Sequence, residues 1–124
     1  MCLDMKRYLP KKYFVTGFKK MKKNDTQYKG AYIGIPYEIG IKYIAEKPED
    51  IPWDLKYDAS RRHDDEAGFH IFQDIENARN YMTSERIDGE EVVVKVEGLA
   101  FAAGFVDERK RCYLCESMKI IEEV

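Results

Sequence analysis

The stretch that decides the fold alternates charged and apolar side chains: Glu91-Val92-Val93-Val94-Lys95-Val96-Glu97. Three valines fall on one side of this stretch and the charged residues on the other, which is typical of a half-buried β-strand. A second strand is expected over residues 99–106. A third is expected from Cys112 to Ile121, with an irregularity near Glu116. The C-terminal third of the chain therefore predicts a small antiparallel sheet.

The strand over residues 99–106 has one face of small side chains, namely Ala100, Ala102, Gly104 and Val106. Such a face supplies little volume with which to fill a core, so another element must approach its backbone closely. A helix of the same chain is one candidate. Another subunit is the second candidate, and it would make the protein an oligomer.

One helix is expected, and it follows a short apolar strand at Gly68–Phe72. Asp74 is placed to cap its first turn, and Ile75, Ala78 and Met82 recur at helical spacing. We therefore predict a helix over residues 74–84.

Shorter strands are expected upstream of this helix, over residues 12–18, 30–35 and 39–45, with a turn at Asn24-Asp25. Pro36 interrupts the pairing of the second and third of these. The sequence as a whole predicts an α+β fold: a small antiparallel β-sheet domain with one main helix packed on it. Its length suits a single ligand-binding domain over residues 1–124.

Composition places the chain among ordinary soluble proteins, with 44% hydrophobic and 35% charged residues. No apolar run approaches the length of a membrane span, and residues 1–5 lack the apolar core of a secretion signal. Three cysteines, an odd number, favour a reducing compartment over a disulfide framework. We expect a cytoplasmic protein.

Positive charge is concentrated at the N-terminus. Residues 1–23 carry seven lysines and Arg7 against Asp4 alone, a net charge of +7, so the other residues carry −9 to give the total of −2. One interpretation is a nucleic-acid patch interleaved with aromatic residues. The other is a solvated hairpin loop at residues 19–25 beside an alternating strand. The acidic balance of the whole chain favours the second and argues against binding to duplex nucleic acid.

Residues able to carry catalysis form no recognisable set. Cys112 and Cys115 have the spacing of half a metal site, but positions three apart on a strand point to opposite faces. His70 lies in an apolar strand without a nucleophile at a known motif. The glycines of residues 30–40 do not precede a helix as a phosphate loop does. We expect no metal, no cofactor and no catalytic residues.

The segment Asp107-Glu108-Arg109-Lys110-Arg111 is the best candidate for binding an anion. Arginines at a rigid hairpin tip can present paired donors to phosphate oxygens, and Tyr113 and Phe72 can stack on a base. Arg62 can join them from a polar loop. The alternative is that the hairpin serves solubility and blunts a sheet edge.

The chain also resembles a known class of small phage-encoded proteins. The resemblance runs through Tyr37-Glu38-Ile39-Gly40, Gly68–Phe72, the helix up to Tyr81, Val93–Val96 and Ser117–Ile121. Within that class, the chain is most similar to the Thoeris anti-defence sponge proteins of phages and prophages. The resemblance implies homo-oligomers built from dimers, with nucleotide pockets at subunit interfaces. It also implies that these proteins sequester cyclic ADP-ribose signals made by bacterial TIR-domain enzymes, some also trapping cyclic oligonucleotides, without catalysis.

A cyclic ADP-ribose isomer needs cations for its diphosphate, aromatic faces for its purine, and amides or hydroxyls for its riboses. The residues of the right type are Arg109, Arg111, Tyr113, Phe72, Asn80 and Arg62. The predicted function is non-catalytic sequestration that blocks TIR-based anti-phage defence in the host bacterial cytosol. The alternatives are an interaction module that inhibits a host factor through the small-residue face, and a small nucleotide-processing enzyme that uses His70.

Overall fold

The computed structural model describes residues 4–30, 36–45, 68–81, 86–106 and 109–124. The elements, in chain order, are β1 (Asp4–Asn24), β2 (Gln27–Gly30), β3 (Pro36–Tyr37), β4 (Lys42–Ile44), β5 (Phe69–Phe72), α1 (Ile75–Arg79), β6 (Glu90–Val106), β7 (Lys110–Cys115) and β8 (Ser117–Glu123). Across these described ranges, no helix has the length and apolar character that crossing a membrane requires.

The prediction of an α+β fold with one main helix is wrong. Strands account for 74% of the described residues and helix for 6%, and no described helix reaches seven residues. The helix begins as predicted, because the Asp74 side chain accepts a hydrogen bond from the Glu76 amide at 2.9 Å. It ends after five residues at Asn80, a residue type that favours caps over helix interiors.

A lysine from the sheet holds the end of this short helix. Lys20 Nζ donates to the carbonyl oxygens of Arg79 and Tyr81, each at 3.0 Å. The Arg79 carbonyl is one that the helix end leaves without an intrahelical partner, the Tyr81 carbonyl lies just beyond the C-cap, and a cation beside a helix C-terminus is favourable. Lys20 Nζ also lies 3.4 Å from a carboxylate oxygen of Glu91. A short pattern at helical spacing therefore produces one capped turn and not a layer of helix.

The eight strands form one sheet in the order β3-β2-β1-β5-β7-β6-β8-β4, with a further pairing between β1 and β6. All the strand pairings are antiparallel. Because β1 pairs with β5, β5 with β7, β7 with β6 and β6 again with β1, these four strands close a cycle. The sheet is therefore curled on itself.

Two long strands run through this sheet. β6 is a single strand of 17 residues, although the sequence pattern suggested two, and β1 has 21 residues where seven were expected. The predicted solvated loop at residues 19–25 is instead strand up to Asn24, with the turn at Asp25. Its lysines have acidic partners: Lys22 lies 3.6 Å from Glu91, and Lys23 lies 3.0 Å from Glu123.

The two faces of the sheet carry separate cores. The first cluster includes Ile71, Val94, Val96, Cys115, Met118 and Ile120, all fully buried. The second includes Phe72, Val93, Ala102, Cys112 and Leu114, together with Ala78 of α1. The small side chains predicted to need a neighbour are divided between them: Ala100 belongs to the first cluster and Ala102 to the second, and both are fully buried.

Two glycines allow β5 to lie close to β1 and β6. A Cβ added at Gly98 would lie 2.5 Å from the Ser117 carbonyl oxygen and 2.9 Å from Ile71 Cδ1. A Cβ at Gly17 would collide with the Phe72 carbonyl oxygen. Both positions therefore need glycine for close approach, and this closeness lets Ile71 fill the first cluster.

Candidate anion-binding site

The candidate site lies where β1, β6 and β7 run side by side. Tyr113 of β7 is directly opposite Ala103 of β6, and Ala103 is directly opposite Arg7 of β1. Directly opposed residues of antiparallel strands project from the same face. Neighbouring strands lie about 4.8 Å apart, so roughly 10 Å separates the backbones of Arg7 and Tyr113. The small Ala103 side chain between them leaves a shallow recess.

A second arginine borders this recess. Arg111 is two residues before Tyr113 on β7, so it lies on the same face, opposite Phe105 of β6. Its guanidinium carbon lies 5.7 Å from the centre of the Tyr113 ring, which is within cation–π distance. Arg111 is exposed and Tyr113 is half-buried against the first cluster. We call Arg7, Ala103, Phe105, Arg111 and Tyr113 the arginine recess.

The arrangement suits an anion that offers paired oxygen atoms. Two guanidinium groups can each donate paired hydrogen bonds to phosphate or carboxylate oxygens. The Tyr113 ring adds an apolar face beside them, and Phe105 is half-buried. Arg109 lies in the turn just before β7 and is exposed.

The other residues predicted for the site lie elsewhere. Phe72 is only 2% exposed and faces the second cluster, where its ring packs 5.4 Å from that of Tyr81. Phe72 pairs with Cys112, whereas Tyr113 pairs with Ile71, so the two rings project from opposite faces. Asn80 is exposed at the end of α1. Arg62 lies outside the described residues. The structure thus places Arg111 beside Tyr113 and separates both from Phe72, and Arg109 lies in the turn before β7.

Sequence reasoning missed Arg7. It had grouped this residue with an N-terminal basic arm, whereas the register of β1 against β6 places it across the recess from Tyr113. The placement of Arg7 depends on the long-range pairing of β1 with β6, and no local sequence motif indicates it. Ala103 was recognised as a small residue, but its position between Arg7 and Tyr113 depends on the same register.

The cysteine pair has no reactive character. Burial raises the pKa of the Cys112 thiol and that of the Cys115 thiol to about 12 in each case. The two side chains belong to different clusters, as positions three apart on a strand should. Among the described residues, no group of three or more His, Cys, Asp or Glu side chains is placed to hold a metal ion.

Two concavities lie away from the recess. A groove of about 220 Å³ is bordered by Phe14, Lys42, Glu97 and Lys119. A cavity of about 340 Å³ lies beside Lys20, Arg79 and Glu91 at the end of α1. Lys20 already bonds two carbonyls and faces Glu91, and Arg79 is paired with Glu76, so both cations among the described lining residues already have partners.

Comparisons of the chain with protein-family models, curated proteins and solved structures return no match.

Proposed function

We propose that the protein is a non-catalytic binding protein that captures an anionic nucleotide at the arginine recess. The observation that carries the proposal is the side-by-side placement of Arg7, Ala103 and Tyr113, with the Arg111 guanidinium 5.7 Å from the centre of the tyrosine ring. Cations for a diphosphate and an aromatic face for a base are thus adjacent. The similarity to Thoeris anti-defence sponges makes a cyclic ADP-ribose isomer the proposed ligand, held in the bacterial cytosol. Following the same similarity, the proposed assembly is a homo-oligomer built from dimers.

Sequestration requires tight contacts and no reacting group. Guanidinium groups and an aromatic ring bind without transferring protons or bonds, and neither buried thiol has a pKa suited to nucleophilic attack at neutral pH. His70 is only 8% exposed, because its side chain lies within the sheet and not in an open cleft. These features support a binder over the alternative of a nucleotide-processing enzyme.

The first experiment measures binding and turnover together. The protein is incubated with cyclic ADP-ribose isomers, freed of unbound ligand, heat-denatured, and the released nucleotide is identified by mass spectrometry. We expect about one equivalent of unchanged ligand per site. A thermal shift accompanies it, since a ligand at a hundred times its Kd stabilises by about 2.7 kcal/mol. Conversion of more than one equivalent would overturn the proposal in favour of an enzyme.

Substitutions locate the site. Arg111→Ala and Arg7→Ala each remove a charge-assisted contact worth about 1.5–3 kcal/mol, so each should weaken capture roughly ten- to a hundredfold. Arg111→Lys should rescue only in part, because a point charge lacks the planar fork. Arg79→Ala is the matched control, since Arg79 is an exposed arginine on α1 whose side chain pairs only with nearby Glu76 among its recorded ion pairs. Equal binding by both recess variants would place the ligand elsewhere.

A further inference from the structure

The N-terminal half of β1 carries aromatic rings on the face opposite to the arginine recess. Tyr8 lies directly opposite Ala102 of the second cluster, whereas the neighbouring Arg7 belongs to the recess face. Phe14 precedes the buried Val15 of the first cluster, so it projects to the same side as Tyr8. Tyr8 is 61% exposed and Phe14 is 62% exposed. Two large rings on this strand are thus left in solvent, on either side of an irregularity between Tyr8 and Tyr13.

The Tyr8 ring is held in place by its neighbours. It stacks on the Phe101 ring, with centroids 6.5 Å apart and an angle of 28° between the planes. Lys6 Nζ lies 5.6 Å from the centre of the Tyr8 ring. The Tyr8 ring is therefore supported by Phe101 and has a cation over it. A base that stacks on Tyr8 shares the ring with the Lys6 side chain, whose charge also suits the attached phosphate.

The stretch of β1 that carries these rings is rich in cations, although Arg7 lies on the opposite face and Phe14 borders a groove that also contains Glu97. Residues 5–14 contain no Asp or Glu and four cations, which are Lys6, Arg7, Lys11 and Lys12. Arg7 and Lys11 are exposed. Lys12 forms an exposed ion pair with Glu116 at 2.8 Å, which screens part of one charge. The strip as a whole is cationic although the chain carries a net charge of −2.

We propose that this surface, formed by Lys6, Tyr8, Phe14 and Phe101 with Lys11 nearby in the chain, binds single-stranded nucleic acid. Proteins that bind single strands combine cations that follow the backbone with aromatic rings on which bases stack. Tyr8 and Phe14 pair with residues three apart on β6, which puts the rings roughly 10 Å apart along the strand direction. A flexible single strand can present unstacked bases to both. The bases of a duplex are already stacked on one another and cannot.

Fluorescence anisotropy with labelled single-stranded DNA and RNA of about 15 nucleotides tests this, since a single binding fold covers up to about 16 nucleotides. We expect binding that weakens as salt rises between about 50 and 200 mM, because phosphate contacts release counterions. The same sequence as a duplex should bind at least tenfold more weakly. Equal affinity for duplex and single strand, or no binding to either oligonucleotide, would overturn the proposal. Vesicles of anionic lipid serve as the rival probe, and binding to them without binding to oligonucleotides would also overturn it.

Substitutions test which residues bind the oligonucleotide. They also distinguish this binding from the proposed capture of cyclic ADP-ribose, on which the inference does not depend. Tyr8→Ala and Phe14→Ala should each weaken oligonucleotide binding about tenfold or more, and Tyr8→Phe should retain most of it. Ile44→Ala is the control, because Ile44 is a 64% exposed apolar residue on β4. Arg111→Ala should leave oligonucleotide binding unchanged while it weakens capture of cyclic ADP-ribose. Unchanged oligonucleotide binding in the Tyr8→Ala/Phe14→Ala double variant would overturn the proposal, whatever the outcome for cyclic ADP-ribose.

Discussion

Burial, and not spacing, decides what individual residues of this chain can do. Cys112 and Cys115 are separated as metal ligands or redox pairs often are, yet each lies at 0% exposure in a different cluster. Phe72 has the right chemistry to stack on a base, but its ring fills the second cluster. Arg7 looks in sequence like one more member of a basic arm, and pairing puts it beside Ala103. Residue identity gave the possible chemistry, and strand register selected among the possibilities.

The thiols provide a prediction at this scale. In a Cys2→Ser variant, Cys112 and Cys115 should react with Ellman's reagent at pH 8 only as fast as the protein opens, because burial and a pKa of about 12 leave little accessible thiolate. Adding denaturant should release both thiols at once. The measurement is absorbance against time in native buffer and in denaturant. Rapid native labelling of two equivalents would contradict the burial of these side chains.

At the scale of elements, the boundary between β5 and α1 could be predicted from the sequence, whereas the lengths of β1 and α1 could not. The Asp74 cap and the turn after Asn24 are confirmed, and the strand predicted at Gly68–Phe72 is observed at Phe69–Phe72. The prediction of one strand from Cys112 to Ile121 is wrong, because the expected irregularity near Glu116 divides it into β7 and β8. The length of β1 was missed because its lysines look solvated in sequence, whereas their partners lie on distant strands. The length of the helix was overestimated, because three apolar residues at helical spacing do not outweigh the C-cap at Asn80.

The Lys20 side chain at the end of α1 gives a prediction for the short helix. Lys20→Met removes the ammonium that bonds the carbonyls of Arg79 and Tyr81, and should cost about 1.5–3 kcal/mol in unfolding free energy. Hydrogen exchange should quicken most at the amides of Ala78, Asn80 and Tyr81, whose acceptors lie within this turn. Lys119→Met, at an exposed position of β8, is the matched control and should change stability by no more than about 0.5 kcal/mol. Uniform exchange across the chain would argue against a local capping role.

At the scale of the whole molecule, the two clusters share their strands. Val93 and Val94 are consecutive on β6, yet they belong to opposite clusters, and so do Ile71 and Phe72 on β5. Neither cluster can lose its strands without disrupting the other. The cycle of β1, β5, β7 and β6 joins residues that are far apart in sequence, and so does the arginine recess. Neither feature could therefore be predicted from local sequence patterns.

Unfolding should therefore be a single transition. Ile120→Ala in the first cluster and Leu114→Ala in the second should each cost about 2–5 kcal/mol. In both variants, far-ultraviolet circular dichroism and tyrosine fluorescence should report the same midpoint in urea. Separate midpoints for the two probes in either variant would show that the clusters unfold independently.

The pattern of strand edges has a consequence for self-aggregation. Exposed edges invite pairing with other chains, and in the described sheet the terminal strands β3 and β4 are only two and three residues long. In its N-terminal half, β1 has β6 as its only recorded partner within the described ranges, and that stretch contains Pro10 among four cations. Proline lacks an amide donor, and lysines repel a second copy of the same strand. The basic strip that suits a polyanion therefore also protects this strand-rich chain from fibril growth.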